Sequence, residues 1–389
     1  MDRRSFVRLV GGGVLASTLP ACSTRYPEAA IAPWQGPGDE PDVRRWALAH
    51  AILAPNSHNL QPWLVDLREP DAITLHVDRQ RLLPMTDPWF RQIVVSQGTF
   101  LELLVIALRE RGLDPQVQLF PEGEFAARAV DDRPVARVSW VPGAPAPQRD
   151  PLFAQILRRH TAKVDYDTTR PVAPGTLDAL RTALTSPAVR FGATTAEPLL
   201  GQLRSLCWES ARVELLTPRT VMESVKVLRV GPAEIEQHRD GLVVNDRLPR
   251  LLDALGLFDR EHPPAEGSAA FKQMMARFEG HSRTAMGFVW LSTPTAANMA
   301  AGRGRSAEVE AGRAYVRLQL KATELGLQMH PMSQAPQEFP EMQPHYERLH
   351  ELLVQAPATQ ETVQMLCRVG YCPNGQPTPR RGVDAIIRA

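Results

Sequence analysis

Lysine is scarce in this 389-residue chain: Lys163, Lys226, Lys272 and Lys321 stand against 40 arginines. Net charge is scarce too, at +1 from 44 basic and 43 acidic side chains. A nucleic-acid binder needs a basic field to meet phosphates, and this balance argues against one. Four cysteines, none in a CxxC pair, are too few to staple a chain of this size. No run of apolar residues approaches the roughly 20 of a membrane span. The ten histidines form no HExxH or close pair, so no metal site is expected. Gly302-x-Gly304 lacks the third glycine of a dinucleotide fingerprint, and no GxSxG elbow marks a hydrolase. What is present is ordinary globular composition, 43% hydrophobic and 22% charged. It suffices for one large or two medium domains with a real core.

The first residues read as an address rather than as fold. Arg3-Arg4-Ser5-Phe6 and Arg8 resemble a twin-arginine export signal, followed by a modest apolar run from Leu9 to Leu19. Leu19-Pro20-Ala21-Cys22 resembles a lipoprotein cleavage box with Cys22 as the lipidated residue. The expectation is export by the twin-arginine machinery to the periplasm, with the membrane met only through a lipid on Cys22. Residues 1–21 carry a net +2, so the mature chain falls to −1 and keeps no basic excess. That route carries folded proteins, which points towards a cofactor loaded before export.

Periodicity places a helix over Pro41–Leu53, strands over Trp63–Leu67 and Ala72–Val77, and a long apolar helix over Phe90–Arg111. Strands follow at Val117–Phe120 and Val135–Val141, then a Pro/Ala/Gly linker at Pro142–Pro147. The second part opens with helices over Pro151–Arg159 and Pro174–Leu184 and a strand over Ala188–Ala193. A helix-rich stretch runs to about Gly280, and Met286–Ser292 reads as a buried strand. Ser306 is the expected cap of a helix reaching Leu325, and Thr362–Val369 is the last strand before an arginine-rich tail. Alternating helices and strands in both parts predict a layered α/β or α+β fold.

Three segments carry chemistry. Pro55-Asn56-Ser57-His58-Asn59-Leu60-Gln61-Pro62-Trp63 gathers amides and a hydroxyl between a helix end and a strand, more than a turn needs. Arg158-Arg159-His160-Thr161-Ala162-Lys163 puts cations and a hydroxyl at a helix end, as a phosphate or anionic ring requires. Taken alone it reads as a solvated basic face. In the tail, Arg380 and Arg381 follow a Pro-stiffened loop and could close on a phosphate.

Together these segments resemble the nitroreductase family of FMN-binding flavoproteins. The resemblance implies an α+β, three-layer α/β/α sandwich with FMN as cofactor. Arg159, His160, Thr161 and Lys163 match the family's Arg-x-Ser/Thr-x-Lys motif, which holds the flavin phosphate, ribityl chain and N1/O2 edge. Pro55, Asn56, Ser57 and Asn59, with Gln61-Pro62-Trp63, match the segment that a partner subunit packs on the ring. Arg380 and Arg381 match a tail that completes the phosphate site. Leu325–Ser333 resembles the helix exit whose backbone approaches flavin N5, which puts Pro331, Met332 and Ser333 at that edge. No acid–base catalytic residue is implied.

The motif order departs from that pattern, because the Asn-x-Gln-Pro-Trp segment precedes the Arg-His-Thr-x-Lys segment by about a hundred residues. Two fused halves forming a pseudo-dimer explain it, with one FMN site surviving of two. The first half would span 23–147 and the second 148–389, with a lid insertion around 215–280. This architecture resembles the Acg-type branch. A pseudo-dimer has no need of a second copy, so a monomer is expected. The implied function is FMN-dependent reduction of a small-molecule acceptor, a nitro compound or quinone. The alternative is FMN binding or sequestration without turnover.

Overall fold

The computed structural model describes residues 24–294, 304–355 and 360–388; the expected export signal and Cys22 lie outside them. The strands are β1 Trp63–Asp66, β2 Ala72–Val77, β3 Gln116–Leu119, β4 Ala136–Ser139, β5 Arg190–Thr194, β6 Leu228–Val230, β7 Leu242–Val244, β8 Gly287–Pro294, β9 Gln328–Pro331 and β10 Glu361–Gly370. The helices are α1 Glu28–Ile31, α2 Val43–Ala51, α3 Arg91–Glu110, α4 Pro174–Arg181, α5 Leu199–Leu216, α6 Pro218–Lys226, α7 Gly231–His238, α8 Arg247–Ala254, α9 Ala269–Arg283, α10 Arg305–Glu324 and α11 Gln343–Leu353.

Two four-stranded antiparallel sheets organise the chain, in orders β1-β2-β4-β3 and β5-β8-β10-β9. In the first, alternation buries Trp63, Val65, Ala136 and Val138 against α3 and leaves Leu64, Asp66, Arg137 and Ser139 on a half-open outer face. The second sheet is covered on both faces. Val289, Leu291 and Cys367 meet Leu318 and Ala322 of α10, while Phe288 and Leu366 meet Leu203 and Cys207 of α5 and Leu349 of α11. That half is a three-layer α/β/α sandwich, and the whole is α+β with two fused halves.

The halves meet where α3 crosses α10, and the crossing has an internal two-fold character. A Cβ on Gly98 would lie 2.0 Å from the Val309 carbonyl, and one on Gly312 would lie 2.0 Å from the Val95 carbonyl. Each helix therefore offers the same Val-x-x-Gly face to the other. Arg91 and Arg305 lie seven residues before these glycines, and both are fully buried. Arg91 reaches the second half, at Glu338 (2.6 Å) and the Gln364 carbonyl (2.7 Å). Arg305 reaches the first, at the Ala126 and Ala127 carbonyls (both 3.0 Å).

Some expectations need correction. Helix α10 is capped from the other half, because Glu124 accepts from the Arg305 and Ser306 amides (both 3.0 Å) and from the Ser306 hydroxyl. Residues 151–158 form a 3₁₀ helix whose first turn is capped by Asp150. By length and composition α3 does match a membrane span; it is instead sealed between α2, α10 and the first sheet. The chain ends by returning to the first half, where Ile387 bridges Val65 and the Arg388 amide donates to the Val65 carbonyl (2.8 Å). This return carries Arg380 and Arg381 across the seam.

Candidate functional site

Residues 55–61 form a tight, strained loop. The Asn56 side chain closes it, accepting from the Gln61 amide (2.8 Å) and donating to the Ala54 carbonyl (3.1 Å). His58, Asn59 and Gln61 all sit in the left-handed region, at φ 48°, 55° and 54°. Three non-glycine residues there are costly and need outside support. Residues 224–241 supply much of it. Gln61 Nε2 donates to the Arg239 carbonyl (2.8 Å), the Gly241 amide donates to the Asn59 carbonyl (3.0 Å), and Ser224 Oγ lies 2.9 Å from His58 Nε2. Ser57 is fixed through its amide to Ser96 Oγ (3.2 Å), and the Pro55 carbonyl accepts from Thr99 (2.7 Å).

Next to this loop lie two buried guanidinium groups with no carboxylate partner among the described residues. Arg159 donates to the Leu53 carbonyl (2.7 Å) and Gln319 Oε1 (3.0 Å). Arg380 donates to Asn59 Oδ1 (2.5 Å), to Thr378 Oγ1 (2.6 Å) and to the same Leu53 carbonyl (3.3 Å). The Nε of each is buried and unbonded, as is Nδ1 of His160. Desolvation pushes Arg159 down to about 10, and desolvation with the repulsion of Arg159 holds Arg380 well below its ordinary value. Trp34 faces both cations, 5.4 Å and 5.2 Å from ring centre to guanidinium carbon, and its ring lies 4.6 Å from His160. Buried, like-charged and unpaired donors of this kind are arranged for an anion.

Thr161 accepts from Gln319 (2.9 Å), which ties the motif to α10. Lys163 is solvent-accessible but crowded by protein; desolvation, then the charge of Arg277, brings it down to about 8. Burial takes His58 to about 4, with the charge of Lys163 as its second cause. His330 is buried, with its ring 5.0 Å from that of His281. Arg368 donates through Nε to His330 Nδ1 (3.0 Å), which leaves the proton of the neutral ring on Nε2.

The expected residues do not all converge. Arg381 turns away from Arg380: its amide and guanidinium bond Gln61 (2.9 Å and 2.6 Å), and it faces Asp78 at 3.9 Å. Pro331 has no amide hydrogen, and the Met332 amide is engaged by the Leu366 carbonyl (2.8 Å). Of that trio only Ser333 keeps its amide outside the sheet ladder. Trp34, Gln319, Ser224 and Arg368 were missed by sequence. Trp34 alone left a trace there, a tryptophan in an otherwise polar Pro/Gly-rich stretch.

The pseudo-symmetric position is disarmed. Seven residues past Gly312 stands Gln319; seven past Gly98 stands Val105, deep in the first core. The carbonyl equivalent to Leu53, just past α4, is that of Ala183. It accepts from Arg317 (2.7 Å), but Arg317 is neutralised by Glu102 (2.9 Å) and Asp150 (2.6 Å). A cavity of about 360 Å³ beside it is lined by Asp150, Ala183, Arg317, the Lys321–Glu324 pair, Arg109 and Arg149. Arg317, Lys321 and Arg149 are matched by acids there, while Arg109 keeps a buried, unbonded Nε.

The chain is similar in sequence to several nitroreductase-named proteins. "Putative NAD(P)H nitroreductase Rv3131" of Mycobacterium tuberculosis is 26% identical over 374 residues, covering 94% of each chain. The similarity to this putative nitroreductase thus runs along nearly the whole of both chains. "Probable NAD(P)H nitroreductase PigM" of Serratia sp. is 30% identical over 33% of this chain and 37% of its own. "Putative NAD(P)H nitroreductase acg" of M. tuberculosis is 32% identical over 21% of this chain and 24% of its own. No protein-family model matches. Among solved structures, an FMN and NADPH-dependent nitroreductase, NfnB, overlaps loosely, at TM-score 0.36 and 15% identity over 61% of this chain and 98% of that one.

Proposed function

We propose that this nitroreductase relative is of Acg type, binds one FMN between its halves, and passes electrons to a small acceptor such as a nitro compound or quinone. The observation that carries this reading is the Arg159–Arg380 pair: two buried guanidiniums, each with an unbonded Nε and neither with a carboxylate among the described residues. That donor set fits a phosphate. Arg159 and Arg380 would hold it, and Thr161 would bond the ribityl chain or phosphate. Lys163 would stand by the ring, with Ser57 and Asn59 on the first-half side. The cofactor supplies hydride and electron transfer when bound; the chain binds it, orients it and sets the charge around it.

A second reading, binding without turnover, is favoured by the insertion. Ser224, Arg239 and Gly241 are bonded directly to His58, Gln61 and Asn59, so the loop on the ring side is covered. Absorbance of protein purified without added flavin tests both readings. Flavin reduced rapidly by NADPH and reoxidised by a nitroaromatic selects turnover. Tight FMN that NADPH does not reduce selects sequestration. A colourless protein that rejects added FMN ends both.

The reading includes export by the twin-arginine route and a lipid on Cys22. Palmitate labelling that survives Cys22→Ser, or export that survives Arg3→Lys with Arg4→Lys, would remove that part.

Lys163 gives a pH signature. Its folded value lies near 8, below that of a free lysine, so its charge is lost as pH rises through about 8. FMN affinity is expected to weaken between pH 7 and 9 in the native protein. In Lys163→Met it should be weaker throughout and flat over that window, as read by flavin fluorescence titration. Equal slopes would show that Lys163 does not face the ligand.

A further inference from the structure

Helix α8 is built inside out. Its inward side is polar: Asp253 pairs with Arg260 (2.7 Å), which in turn pairs with Glu234 of α7 (2.9 Å), and Arg250 lies over Gly231. No residue of α8 is buried. Its outward side is leucine. Leu248, Leu251 and Leu255, at i, i+3 and i+7, are 61%, 56% and 61% exposed, and Leu257 just beyond is 67% exposed. Four of the ten most exposed large apolar side chains among the described residues thus fall within ten positions. Scattered exposed leucines need no explanation; a concentrated face does.

The chain's start lies beside this helix. Asn245, two residues before α8, donates to the Thr24 carbonyl (2.9 Å) and the Arg25 carbonyl (3.1 Å). Cys22 is two residues before Thr24, so it is within about 7 Å of that point along the chain. A lipid on Cys22 would enter the bilayer at the foot of the leucine face.

We propose that the leucine face of α8 is a membrane-docking surface that lies in the lipid interface next to the acyl anchor. This goes beyond the flavin reading and rests on the lipidated Cys22 only for the anchor's position. The face is apolar rather than cationic, consistent with a mature chain of net −1, so its grip should resist salt. The insertion that carries α8 also carries Arg239 and Gly241, so the docked surface and the site loop share one element.

Flotation with phosphatidylethanolamine/phosphatidylglycerol vesicles tests this on the full chain. Cys22→Ser removes the acyl group, and Leu248→Gln, Leu251→Gln and Leu255→Gln remove the face. The Cys22→Ser chain should still float in 0.5 M salt, and adding the three glutamines should reduce the vesicle-bound fraction at least tenfold. The glutamine variant should keep native melting behaviour and flavin content, because those side chains touch solvent. No flotation of Cys22→Ser, or equal flotation of the glutamine variant, overturns the proposal. A concentration-dependent dimer that the glutamines abolish would overturn it in favour of a contact between copies.

Discussion

Replacing Arg159 with methionine is expected to yield a protein at least as stable as the native apo form that no longer retains FMN. The two effects have one cause. Arg159 is fully desolvated, has no carboxylate, and faces the equally unpaired Arg380. Its folded pKa, near 10, lies below its unfolded value, so at neutral pH its charge opposes folding. Methionine fills similar volume without that cost. Gln319 Oε1 loses a donor, worth about 1 kcal/mol, while the Leu53 carbonyl keeps Arg380. Binding moves the other way. Hydrogen bonds to a charged group contribute about 1.5–3 kcal/mol each, so losing the fork should weaken FMN by two decades or more. Arg159→Lys should rescue little, since a point charge does not reproduce the planar fork. Apo melting and flavin titration on the same preparations decide it. Native flavin content in Arg159→Met, or an apo form that melts far below native, would sink the assignment.

The second large effect lies at the seam. Gly98→Ala and Gly312→Ala are each expected to destabilise the protein by about 3 kcal/mol, although alanine favours a helix by roughly 1 kcal/mol. Each new Cβ would meet a backbone carbonyl at 2.0 Å, and backbone cannot rotate away. The helices must separate, and with them the halves that share the site. FMN retention should therefore fall together with the urea midpoint. Gly175→Ala in α4 is the control: nothing lies within 4 Å of its Cβ, so no loss is expected. Seam variants that unfold at the native midpoint would show that α3 and α10 do not cross this closely.

Much of the fold follows from local pattern. The extents of β2, α3 and β10 come from apolar periodicity bounded by turn formers, which tertiary contacts reinforce. The small pair β6–β7 and strand β9 escaped, because runs of three or four residues carry too little period to separate from their surroundings. The cap of α10 escaped for a different reason. Ser306 is a good capping residue, but the acceptor in place is Glu124, some 180 residues away. The tail also misled in isolation: Arg380 and Arg381 look like solvated residues, yet both are buried once the chain returns to β1.

By itself the sequence determined that helices and strands alternate in both parts of the chain and that the polar loop at 55–61 holds more amides than a turn needs. Residue type and spacing suffice for that, since propensity and side-chain chemistry are local. Only the tertiary structure decided which cations remain unpaired. Arg159 and Arg380 converge on one carbonyl with no acid in reach, Arg381 turns to Gln61 and Asp78, and Arg317 at the mirrored position is neutralised by Glu102 and Asp150. Whether a buried charge is a binding site or a strut depends on its neighbours in space, and those come from both halves at once.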